Sequence, residues 1–205
     1  MNWYGHLALA WDDRPDPVFA LAAALPDLAR LAGCPRVGLP SSGPVADGVA
    51  HHHEIDDRFH HGDAFRRLLR AGTADLEARG LRRGVARAAA HVGIELHLDG
   101  VLSMRDDARA LLDTAFAAGH GSGVGDALEW DAPDRTAFAD TLDRLGSGPY
   151  PTVWQSEDEV AARVIRVLSH RPRLRPIAAE EGALLEVLRD LAPAVRDDAE
   201  ALLPR

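Results

Sequence analysis

The spacing of apolar residues most limits the folds open to this chain. Ala- and Leu-rich stretches recur at the period of a helix, Pro and Gly interrupt them, and no stretch offers sustained alternation rich in β-branched residues. The pattern specifies an all-α protein, a single-domain helical bundle over residues 1–205. Helices are expected near 17–32, 44–58, 62–72, 82–104, 106–118, 133–145, 156–169 and 178–201, the last broken near Pro193. Loops rich in Gly and Pro fall at 34–44 and 119–125, both too short to separate domains. With 46% hydrophobic and 27% charged residues, the chain can bury a sizeable core.

Composition narrows the function classes. A formal net charge of -9 disfavours general binding to nucleic acid or to an anionic membrane, and no apolar stretch is long enough to span a bilayer. All 23 basic residues are arginine, so a single arginine carries less functional weight than usual. Cys34 is the only cysteine, which excludes an internal disulfide or a cysteine-rich zinc site and fits a cytoplasmic setting. The opening Met1-Asn2-Trp3-Tyr4-Gly5-His6 has no basic leader before an apolar run, so no secretion signal is expected.

Half of the ten histidines lie in the eleven residues from His51 to His61. On a helix, His52, Asp56 and His60 share one face and His53, Asp57 and His61 the next, a spacing that lets several side chains reach one ion. The alternative is a solvated polar helix whose His and Asp pair weakly in water. A second constellation lies on the apolar surface formed by Val85, Ala88, Ala89, Val92, Leu96 and Leu102, where Glu95 and Asp99 sit four residues apart. Two carboxylates on a core-facing surface need a cation or donors, which either a metal or arginine salt bridges would supply.

His6 opens an apolar segment, and Asp27 interrupts the otherwise apolar run from Ala22 to Leu28. His6 also reads as a core histidine, and Asp27, just after Pro26, as a residue near a helix start. Taken with His52, Asp56, Glu95 and Asp99, they make six residues from four segments. Imidazole with carboxylate and without thiolate suits manganese, iron, zinc or magnesium.

The order of these motifs resembles the acyl-carrier-protein phosphodiesterase family, helical hydrolases related to the HD-domain phosphohydrolases. Met1-Asn2-Trp3-Tyr4-Gly5-His6-Leu7 is similar to the family's opening, and Leu25-Pro26-Asp27 to its Leu-x-Asp motif. Gly48-Val49-Ala50-His51-His52-His53-Glu54-Ile55-Asp56 resembles its Gly-x-x-x-His-x-x-Ile-Asp segment, and Glu95 to Leu102 its paired helix acids. Trp154 and Arg171-Pro172-Arg173-Leu174 resemble its C-terminal motifs.

The resemblance implies an HD-domain-like fold and metal-dependent hydrolysis of the phosphodiester joining 4′-phosphopantetheine to a carrier-protein serine. It implies a divalent metal, manganese first, on His6, His52, Asp56 and Asp99. Asp27 and Glu95 would then be further ligands or a base positioning water, and Arg171 and Arg173 phosphate contacts. His51, His53, His60 and His61 are left as surface or supporting residues.

The chain departs from the family at Ala22-Ala23, where Gly-Asn is usual, at His53 and Glu54, where two arginines are usual, and at Gly100, where His is frequent. Glu54 opposes phosphate by its charge. An acidic carrier protein would need a positive surface, and residues 66–87 hold Arg66, Arg67, Arg70, Arg79, Arg82, Arg83 and Arg87 against only Asp75 and Glu77. A solvated helix face is the other reading of that segment. Two further function classes stay open: a catalytically silent helical binding protein of this fold, and a helical metal-dependent enzyme of unrelated type.

Overall fold

The computed structural model of the protein describes residues 1–34, 38–120 and 124–204. The expected loops at 34–44 and 119–125 therefore fall partly outside the described residues, at 35–37 and 121–123. Among the described residues the regular structure is all helical, with only an isolated antiparallel bridge between Gly38 and Glu129. No helix among them is long and apolar enough to cross a membrane.

The chain divides into two compact units, residues 1–57 with 105–151, and residues 58–104 with 152–205. The first contains α1 (Trp3–Asp13), α2 (Pro17–Ala32), most of α3 (Pro44–His61), α6 (Ala108–Ala117), α7 (Val124–Ala127) and α8 (Ala132–Gly146). The second contains the end of α3, α4 (Asp63–Ala78), α5 (Arg83–Leu102), a 3-10 turn (Thr152–Gln155), α9 (Glu157–Ser169), α10 (Ala178–Asp197) and α11 (Ala199–Leu202).

In the first unit α1 packs on α2, and Trp3 meets the rings of Phe116 and Tyr150 at 5.9 and 6.0 Å. The limits of α2 follow from local chemistry. Asp16 Oδ1 accepts from the Val18 and Phe19 amides at 2.9 and 3.1 Å, Pro17 presets the first turn, and Gly33 ends the helix at φ +84°. Pro26 sits inside α2 and cannot donate to the Ala22 carbonyl. At Gly48 of α3 an added Cβ would lie 2.5 Å from the Phe19 carbonyl oxygen and 2.6 Å from Ala22 Cβ, so glycine there permits the close approach of α3 to α2.

In the second unit α5 is the central element, packed against α4, α9, α10 and the 3-10 turn. Its glycines set the spacing: a Cβ on Gly93 would meet Leu188 Cδ2 at 2.5 Å, and one on Gly100 would run into the Trp154 carbonyl oxygen. The core gathers Phe59, Phe65, Leu76, Ile94, Leu98, Leu168 and Leu188.

Three features differ from expectation. A helix at Trp3–Asp13 was not expected; its residues from Trp3 to Ala8 are all buried, so they show no polar face to mark the period. α4 continues past 72 to Ala78, because Gly72 lies under Ala90 instead of ending the helix. α10 runs through Pro193 to Asp197 and the break falls at Asp198, with Leu191, Ala192 and Val195 all buried around the proline.

Candidate metal centres

The first unit brings His6 from α1, Asp27 from α2 and His52 from α3 together, each with a ligand atom within 4.8 Å of the others'. Ligands on one tetrahedral divalent ion stand about 3.3 Å apart, so the three atoms would have to draw closer to share one. His6 is fully buried, His52 is 7% exposed and Asp27 is half-buried. The two imidazoles face each other with centroids 3.9 Å apart and planes inclined by 34°.

His52 Nδ1 lies 2.8 Å from the Ala23 carbonyl oxygen, one residue beyond the carbonyl that Pro26 deprives of its helical donor. A carbonyl only accepts, so Nδ1 carries the proton and Nε2 keeps its lone pair. This is the arrangement by which a backbone acceptor fixes the tautomer of a metal-ligating histidine. Burial, and then the neighbouring His6, push the His52 pKa down to about 3 against the opposing pull of the Ala23 carbonyl and Asp56, so the ring is neutral at pH 7.

Asp56, one turn beyond His52, is half-buried. Its Oδ1 accepts from the Met1 ammonium at 2.7 Å and lies 3.5 Å from His6 Nε2. Four of the six sequence candidates for ligands or base therefore meet in the first unit. His51 bonds Asp13 at 2.8 Å, while His53 and Glu54 are exposed.

The other candidates lie on the second unit. Asp99 is fully buried on α5. One turn earlier, Glu95 Oε1 lies 2.9 Å from His91 Nε2 and 3.1 Å from His60 Nε2, and the two ring nitrogens are 3.1 Å apart. Burial acts to raise the Glu95 pKa, but nearby positive charge, and then the close imidazoles of His60 and His91, hold the carboxyl well below the usual carboxylate range. These three residues are a second group able to hold an ion.

His60, expected at the surface or in support, is thus half-buried within a His-His-Glu cluster. His91 was not singled out, although its position four residues before Glu95 on one helix was visible in the sequence. Arg171 and Arg173 are exposed in the turn after α9, and their guanidiniums pair with no carboxylate among the described residues.

Comparison with protein-family models, with curated proteins and with solved structures gave no match.

Proposed function

We propose that the protein is a metal-dependent phosphodiesterase on an HD-domain-like helical fold, acting on the 4′-phosphopantetheine to serine phosphodiester of an acyl carrier protein or on a related phosphoester. The observation that carries this reading is the convergence of His6, Asp27 and His52 with the His52 tautomer set by the Ala23 carbonyl. An imidazole and carboxylate donor set without thiolate favours manganese, with iron, magnesium and zinc as competitors. A divalent ion bound there supplies a coordinated water of lowered pKa and polarises the phosphoryl oxygen.

The chain's own residues do the rest. His52 offers a neutral ring nitrogen and His6 a second imidazole, both from buried positions on helices, which sets the geometry of the centre before substrate arrives. Asp27, half-buried beside them, is placed to complete the ligand set or to accept the proton of the attacking water. Asp56, bonded to the Met1 ammonium, adds a further carboxylate 3.5 Å from His6. The lone buried Cys34 is compatible with a cytoplasmic setting.

The test is release of phosphopantetheine from holo acyl carrier protein, with bis(4-nitrophenyl) phosphate as a simpler diester, by the manganese-loaded full chain. His52→Ala and Asp27→Ala should each lower turnover by at least about 100-fold while helical content is kept. Turnover that survives both substitutions contradicts the assignment.

A further inference from the structure

The His60, His91 and Glu95 cluster brings three potential ligand atoms together on one side of the second unit's helices. Its three facing atoms form a nearly equilateral triangle with edges of 2.9, 3.1 and 3.1 Å. A ring nitrogen donates or accepts, never both, and an ionised carboxylate only accepts. If both histidines carry a proton on Nε2, both donate to Glu95 and then oppose each other donor to donor. If only one does, the other faces the carboxylate lone pair to lone pair. With Glu95 ionised, no proton assignment makes all three edges hydrogen bonds.

A cation above the triangle resolves this, because all three atoms then present lone pairs to one centre. Ligands on a tetrahedral zinc at bond lengths of about 2.0–2.2 Å stand roughly 3.3 Å apart, so the triangle needs to open by only a few tenths of an ångström. Two histidines and one glutamate are also a donor set that leaves one position of a tetrahedral ion open.

What lies next to that position is specific. His60 and His91 line a pocket of about 530 Å³ together with Phe65, Arg66, Arg70 and Arg87. Six of the seven arginines of residues 66–87, all but Arg83, divide into two groups. Arg67, Arg79 and Arg82 are engaged with Asp198, Glu186 and Glu180, whereas Arg66, Arg70 and Arg87 pair with no carboxylate among the described residues. Three unpaired guanidiniums around one cavity favour an anion, and their planar donors match phosphate oxygens.

We propose that His60 Nε2, His91 Nε2 and Glu95 Oε1 hold a divalent cation of the zinc class, and that the adjoining arginine-lined pocket seats a phosphoryl group as its remaining ligand. This ligand set shares no residue with His6, Asp27 and His52, so it stands or falls separately from the phosphodiesterase reading.

The experiment is calorimetric titration of the metal-free full chain with zinc at neutral pH, followed by titration of the zinc-loaded chain with inorganic phosphate. Glu95→Gln, His91→Asn and His60→Asn should each weaken one zinc equivalent by at least about 100-fold, whereas His52→Asn leaves that equivalent in place. Circular dichroism identifies any variant that fails to fold, and the near-isosteric Glu95→Gln then decides. Phosphate should bind only the zinc-loaded chain, and Arg66→Gln with Arg87→Gln should weaken it at least about tenfold with zinc affinity unchanged. Zinc binding by the wild type that is the same in Glu95→Gln overturns the metal site, as does a wild type that takes up no zinc. Phosphate affinity indifferent to zinc or to the arginine pair overturns the pocket assignment.

Discussion

His52 is held between two neighbours that define it: its ring lies 3.9 Å from the ring of His6, centroid to centroid, and its Nδ1 donates to the Ala23 carbonyl at 2.8 Å. The first contact adds like charge whenever both rings are protonated, and the second commits one nitrogen to the backbone. Together with burial they leave a neutral imidazole whose free nitrogen meets His6 and Asp27.

That neutral ring gives the metal-free protein a defined pH response. The His52 pKa falls from an unfolded value of about 6.5 to about 3 in the fold, so the unfolded chain takes the proton first as pH drops. Stability is retained above about 6.5 and declines by about 1.4 kcal/mol per pH unit below it until the folded ring also titrates. Denaturant unfolding should show this contribution as roughly 2 kcal/mol less stability at pH 5 than at pH 7.5. His52→Gln should flatten the slope in that window; an unchanged slope would assign the acid sensitivity elsewhere.

A second acid step is expected lower down. Hydrogen bonds from Arg82, opposed by burial, hold the Glu180 carboxyl at about 2, and it also accepts from the Ile177 amide at 2.9 Å. A carboxylate depressed below its unfolded value stabilises above about 4.5 and loses that contribution as pH falls towards 2. Glu180→Gln should lower Tm by several degrees at pH 7 and remove the step below pH 4.5. A variant that keeps the step excludes Glu180 as its source.

Gly48 is predicted to control the first centre through spacing alone. A Cβ there would lie 2.5 Å from the Phe19 carbonyl oxygen, so Gly48→Val must push α3 from α2. His52 is one turn further along α3, and its bond to Ala23 should lengthen with it. The expected result is a stability loss of about 1–3 kcal/mol by denaturant unfolding and at least tenfold weaker manganese binding. Unaltered metal affinity in a folded Gly48→Val protein would mean that His52 does not depend on this contact.

Gly100 is required by packing. Its Cα faces the Trp154 carbonyl oxygen so closely that any Cβ would collide with it. Gly100→His should therefore displace the 3-10 turn, lowering stability by about 2 kcal/mol or more. Thermal unfolding of Gly100→His and Gly100→Ala would show it; a stable Gly100→His would contradict the packing account.

How far the sequence could be read depended on whether its chemistry was local. Asp16-Pro17 and Gly33 bound α2 by capping and φ preference, and its limits could be read directly. α1 could not, because a segment buried on every side loses the polar stripe that reveals a helix. The placement of His91 and Glu95 on one face of α5 is written in i, i+4 spacing, as is the shared face of His52 and Asp56 on α3. What joins His60 to Glu95, 35 residues apart, or His52 to Ala23, 29 apart, is helix packing, set for the second pair by Gly48, and a single sequence carries no period for that.

The most direct test of the central claim is manganese titration of the metal-free full chain followed by electron paramagnetic resonance, which reads the free ion. The account predicts that the wild type removes manganese from solution and that His6→Asn and His52→Asn each lose one bound equivalent while remaining helical. A wild type that leaves all manganese free, or variants that retain its full complement, would contradict it.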